Sequence, residues 1–280
     1  MPVILALLLG LIQGIAEFLP ISSSGHLSVL QNLIGVHAEE GHLLFDVLLH
    51  LGTMVSIIVY YRKDIRAMFS DTFRLLRGED RVNDWVGEAP ATPSVRIVIL
   101  IFVATLPLFI AIPFMGYIET LFYKTGFTGF ALIMTGALLY ASDKFVTHGY
   151  KNEKTIRLSD AFIIGLAQMI ALIPGLSRSG TTIAVGMSRG LSRDFSIKFS
   201  LLLSLPAVLG STIITLVKAF KSGVDFSMMP IYLAGCAVAA GVGYLSIGLL
   251  RRIMSKGKFG YFAYYCAGAG VVTILLSVIL

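Results

Sequence analysis

Arg178 sits in the polar turn Ser177-Arg178-Ser179-Gly180-Thr181-Thr182, between apolar stretches at 161–174 and 181–190. An arginine at membrane depth costs at least about 2.5–3.5 kcal/mol, so it needs an anion. Two anions meet that need. One is the carboxylate of Glu17, which would make a structural ion pair. The other is a phosphate, which suits the two-pronged guanidinium fork. Glu17 itself lies four residues after Gln13, a spacing that puts both side chains on one helical face. A buried carboxylate is a candidate general base or divalent-metal ligand. Gln13 is the weaker ligand, because its amide is neutral. A second polar turn, Ser22-Ser23-Ser24-Gly25-His26, follows Glu17. Serine near histidine is a nucleophile and general-base arrangement, here Ser23 and His26.

Both turns directly precede an apolar stretch. Backbone N–H groups at helix starts bind anions with the help of the helix dipole. Ser22, Ser24 and Gly25 in the first turn, and Ser177, Ser179, Gly180 and Thr182 in the second, are therefore expected to line a phosphate cradle. Either turn alone reads as plain Ser-Gly turn chemistry. Glu17, His26 and Arg178 brought together argue for a site. His50 and Asp46, one turn apart, read as a satisfied polar pair, with orientation of the site as the alternative. His37, His42 and His148 fall at segment edges and read as solvated, and Cys236 and Cys266 as small core residues.

These turns need a scaffold, and composition says which solvent that scaffold lives in. The 280 residues are 56% hydrophobic and 14% charged, against about 25% charged for a soluble domain. Mean hydropathy is +0.85. The net charge of +6 does not point to nucleic acid, because the cations sit in gaps between apolar segments. Membrane lipid, with anionic head groups, is the expected neighbour. A full span takes about 20 residues. Segments 43–61, 95–118, 127–141 (extended through Thr125 and Asp143), 195–217, 230–250 and 261–280 supply six. Two pairs, 3–19 with 27–36 and 161–174 with 181–190, have second arms too short to span. Each reads as a re-entrant helical hairpin whose polar tip stops inside the membrane, where irregular backbone survives only in protein or beside a wet cavity. Between Arg62 and Ser94 the residues Ile65, Met68, Phe69, Phe73 and Leu76 recur at helical spacing among arginines, which predicts an interfacial amphipathic helix.

With the 62–94 loop placed in the cytoplasm, the 22 Lys and Arg all fall on that side except Lys124, Lys218, Lys221 and the intramembrane Arg178. This is the bias of the positive-inside rule, and it leaves both termini outside. One constant offset also lays the second half on the first. Gly10, Leu11, Gln13, Ile15 and Ala16 meet Gly165, Leu166, Gln168, Ile170 and Ala171, and Ser22, Ser24 and Gly25 meet Ser177, Ser179 and Gly180. An odd number of spans per half makes the halves antiparallel. The expectation is an all-α polytopic membrane protein, residues 1–280 forming a single membrane domain. It has six transmembrane helices plus two re-entrant helical hairpins, in inverted-topology repeats at about 1–145 and about 155–280. Such repeats place a polar site near the midplane.

The two turns resemble a known family, the bacitracin-resistance type of undecaprenyl-diphosphate phosphatase. The family's first motif is Glu or Gln, three residues, Glu, then a Ser-rich Gly-His tip; here it is Gln13 to Glu17 and Pro20-Ile21-Ser22-Ser23-Ser24-Gly25-His26. Its second, Pro-Gly-x-Ser-Arg-Ser-Gly-x-Thr, is here Pro174 to Thr182. The resemblance covers the whole chain. It implies removal of the terminal phosphate of undecaprenyl diphosphate, a polyprenyl diphosphate lipid. That reaction recycles the carrier for wall polymers and confers bacitracin resistance. It further implies dependence on a divalent cation (Mg or Ca), a place in the bacterial cytoplasmic (inner) membrane, and a site opening to the periplasmic side. Glu17, His26 and Arg178 would be essential, with Ser22, Ser23 and Ser177 lining the site. Gln13 departs from the acidic version, which bears on the metal. A homodimer is the assembly left open. The phosphatidic acid phosphatases share Ser-Arg fragments but need a histidine where this chain has Ala184. The competing function is a transporter or flippase of polyprenyl-phosphate lipids, which would need the cradle but no nucleophile.

Overall fold

The computed structural model describes residues 2–34, 43–78, 92–145, 149–222 and 226–279; His37, His42, Arg81 and His148 lie outside them. The regular structure of the described residues is helical, apart from one bridge between Lys151 and Leu191. Helix α1 (Val3–Ala16) and α2 (Ser23–Ile34) form the first hairpin. They are followed by α3 (Leu43–Tyr60) and α4 (Arg62–Leu76). The stretch Pro93–Leu121 is one span cut into α5 (Pro93–Thr105), α6 (Leu108–Ala111), a 3₁₀ turn and α7 (Met115–Leu121). Pro107 and Pro113 stand at the cuts, where proline removes a helix N–H and crowds the preceding turn. Helix α8 (Thr125–Phe145) completes the first half. The second half follows with a second hairpin, α9 (Leu158–Ile170) and α10 (Arg178–Ser188), then α11 (Arg193–Ser222), α12 (Met229–Ser255) and α13 (Tyr261–Ile279).

Five of these helical stretches are long and apolar enough to cross a bilayer, and α3 with α4 makes a sixth if that pair is one span. The pair is bent by 80°, however, so with α3 upright α4 runs along the membrane surface. The amphipathic face foreseen on α4 divides in two. Ile65 and Met68 pack on the core, whereas Phe69, Phe73 and Leu76 are exposed and offer an apolar edge to acyl chains.

Large apolar side chains cover the outside as well as the core, and a set of polar residues is buried within. Phe102, Phe109, Phe114, Leu245 and Val278 face outward, while Gln13, Glu17, Ser177 and Gln168 are buried. With lipid outside, helices gain nothing by hiding leucine from one another, so close packing of small residues must hold them. A Cβ on Gly10 of α1 would lie 2.4 Å from the carbonyl oxygen of Gly235 on α12. Its overlay partner, Gly165 of α9, would bring a Cβ to 2.2 Å from the carbonyl oxygen of Ala104 on α5. Each hairpin thus packs its first arm against the opposite half. The hairpins also open at opposite ends of α8. Asn32, near the end of α2, donates to Thr125 at the start of α8. Arg193, just beyond α10, pairs with Asp143 near the end of α8. Between those mouths, the two tips meet.

Candidate active site

The first tip is shaped by Ser22, which takes a left-handed φ of 70°. A residue other than glycine pays for that conformation in steric strain. Here the Ser22 Oγ accepts the N–H of Gly25 at 3.2 Å and lies 3.4 Å from Ser24 Oγ. The second tip turns at Gly175 (φ 93°), and Ser177 then caps α10 by accepting the N–H of Gly180 at 3.1 Å, with Ser179 Oγ 3.3 Å away. The overlay partners Ser22 and Ser177 therefore make the same contacts.

Across the gap, Glu17 gathers three donors. Ser23 Oγ donates to Glu17 Oε2 at 2.6 Å, and Gln13 Nε2 to the same oxygen at 3.1 Å. Arg178, at the first position of α10, donates through Nη2 to Glu17 Oε1. Its buried Nη1 has no partner, so half of the fork is unsatisfied. A cavity of about 240 Å³ opens here, lined by Glu17, Ser23, Ser24, Arg178, Ser179 and His50. Ala207, Val208 and Ser211 of α11 close part of its wall.

Several expectations change. His26 does not face Ser23: its Nδ1 is 2.8 Å from the carbonyl of Ser22, and its Nε2 is 2.8 Å from the hydroxyl of Tyr265 on α13. The carboxylate of Glu17 takes the place beside Ser23. Gly25 and Gly180 do not offer free N–H groups to an anion, because the capping serines already hold them. Thr182 is buried and turned away, its hydroxyl on the carbonyl of Arg178 and on Ser200. His50 and Asp46 are not partners. Asp46 accepts from Gln31 at 3.3 Å, and His50 Nδ1 lies 3.0 Å from Gln13 Nε2. His50, read from the sequence as half of a polar pair with Asp46, lines the site instead, and a histidine within the apolar span α3 was the signal that could have found it.

The donor set does not make a protein-held divalent cage. Among the described residues there is no group of three or more His, Cys, Asp or Glu placed to hold a metal. The one carboxylate is occupied by three donors, one of them a guanidinium. Gln13 Oε1 is buried and without a partner, and one neutral oxygen beside a single carboxylate already paired with a guanidinium is too few for such an ion.

A polytopic helical membrane protein with a serine, a carboxylate and an arginine clustered between two hairpin tips is the class that fold and site define. Within it, the chain belongs to the family described as Bacitracin resistance protein BacA, whose model matches residues 6–272. It is 38% identical over 277 residues, 98% of each chain, to the undecaprenyl-diphosphatase of Methanosphaera stadtmanae. It is also 35% identical over 268 residues, 95% of each chain, to that of Desulforapulum autotrophicum. With that of Halothermothrix orenii it shares 36% identity over 278 residues, 99% of each chain.

Proposed function

We propose that this chain is an integral membrane phosphatase that hydrolyses undecaprenyl diphosphate to undecaprenyl phosphate and inorganic phosphate. It thereby returns the lipid carrier to cell-wall synthesis and confers resistance to bacitracin. The observation that carries the reading is the 2.6 Å hydrogen bond from Ser23 to Glu17, with Arg178 on the carboxylate's other oxygen. A pure transporter has no use for a hydroxyl already poised on a base.

In the step we favour, Ser23 Oγ attacks the terminal phosphorus while Glu17 takes its proton. The bond from phosphorus to the bridging oxygen breaks, and undecaprenyl phosphate leaves. Glu17 gives up that proton as the product departs; water then attacks the phosphoserine and passes a proton to Glu17, which returns it to the departing Ser23 Oγ as inorganic phosphate is released. Arg178 exchanges the carboxylate for phosphate as the diphosphate enters, so that both prongs of the fork find oxygen. Ser24 and Ser179 add hydroxyls to the same wall. The divalent cation implied by the resemblance would arrive on the diphosphate rather than on the protein, and the site would open to the outer face of the cytoplasmic membrane.

The test is phosphate release from a polyprenyl diphosphate by the purified protein. Release at many turnovers per chain is the expected result. Lipid movement across vesicles without phosphate release would establish the transporter instead.

A further inference from the structure

His50 has no part in the mechanism above, yet it lines the same cavity as Ser23, Glu17 and Arg178. Its side chain is 37% exposed. Its protonation pattern follows from its neighbours. Gln13 Nε2 lies 3.1 Å from Glu17 Oε2, and turning the amide round would set its oxygen against a carboxylate oxygen. The amide nitrogen is thereby fixed on this side, and it also lies 3.0 Å from His50 Nδ1. An amide nitrogen donates and cannot accept. His50 Nδ1 must then be the acceptor, and the ring hydrogen is on Nε2. With Nδ1 facing the Gln13 amide, the nearest approach of the ring to Glu17 is 3.9 Å, beyond hydrogen-bond reach. Nε2–H has no partner among the described residues, and it is the ring edge left to meet a ligand.

We propose that His50 is a substrate-binding residue, its Nε2–H a hydrogen-bond donor to the phosphate held by Arg178. Gln13 is the positioning residue that fixes this tautomer. The inference rests on the phosphatase reading. It gives Gln13 a task that a carboxylate at that position would not perform, because a carboxylate draws the ring hydrogen to Nδ1 and turns a lone pair toward the phosphate.

Two measurements on the full-length protein in lipid nanodiscs test it. In ¹⁵N-histidine spectra, the His50 signals are assigned by their loss in His50→Gln, one of five histidines in the chain. They should show Nε2 protonated and Nδ1 bare, and inorganic phosphate should shift Nε2. A proton on Nδ1, or no response to phosphate, overturns the proposal. In turnover, His50→Leu should raise KM about tenfold or more, the loss of one hydrogen bond to a charged group, with kcat within about twofold. His50→Gln, which keeps an N–H donor, should recover most of that. Unchanged KM in His50→Leu, or equal damage in both variants, overturns the proposal. Absence of phosphate release by the unaltered protein would sink the phosphatase reading instead, and the phosphate response of Nε2 would still judge His50.

Discussion

Glu17 is held at once by Arg178, Ser23 and Gln13, so the residues here do not act singly. Removing one member of a buried charge pair leaves the other uncompensated, at a cost of about 3–5 kcal/mol. Glu17→Gln would therefore confuse chemistry with folding, and Ser23→Ala is the cleaner probe. Its hydroxyl acts only as the bond to phosphorus forms. We expect Ser23→Ala to lose at least about a thousandfold in single-turnover rate while still binding the lipid diphosphate, on the scale of removing a nucleophile. A normal chemical step in that variant would hand the attack to water. Arg178→Lys keeps the charge and loses the fork. Activity should fall at least about tenfold, since a charge-assisted hydrogen bond contributes roughly 1.5–3 kcal/mol. Near-normal turnover would make Arg178 only the counter-ion of Glu17. The residue types of this site were legible in the sequence. Their pairing was not, because the left-handed turn at Ser22 swings Ser23 back onto Glu17 and sends His26 toward Tyr265.

At the scale of elements, the tips hold their shape because each half packs against the other. Gly10 and Gly165 sit where a side chain would strike backbone carbonyls, and no rotamer can avoid backbone. Gly10→Leu should wedge α1 from α12 and lower thermal stability, with overpacking costing about 1–3 kcal/mol. Gly116 of α7 has nothing near its missing Cβ, so Gly116→Ala is the matched control and should leave the unfolding temperature unchanged or slightly raised. Equal effects of the two substitutions would show that the α1–α12 crossing does not need its glycine. The hairpins and long spans were readable from segment length and from the polar Ser-Gly turns between the short arms. The cut at Pro107 and the 80° bend between α3 and α4 were not. An apolar run records that a stretch meets lipid and says nothing of where its axis turns. The short α4 betrayed itself only by arginines interleaved with phenylalanines.

For the whole molecule, the matched tip contacts and the opposite mouths of the hairpins fit two antiparallel halves, and which mouth faces outside is a prediction to test. α8 is the ruler. Its start is tied to the first hairpin through Asn32 and Thr125, and its end to the second half through Asp143 and Arg193. Lys124 and Lys154 are both exposed, and they stand on either side of that helix in the chain. If cations gather in the cytoplasm, Lys154 is inside and Lys124 outside. Single cysteines at these positions decide the matter in a background where Cys236 and Cys266 are serine, the latter chosen because Cys266 donates to the carbonyl of Pro20 and serine retains a donor. A membrane-impermeant thiol reagent added to intact cells should label Lys124→Cys and spare Lys154→Cys until the cells are opened. The reverse pattern would turn the molecule over and put the mouth of the first hairpin in the cytoplasm. Labelling of both from outside would place the two ends of α8 on one side of the bilayer, and the antiparallel halves would fall with it.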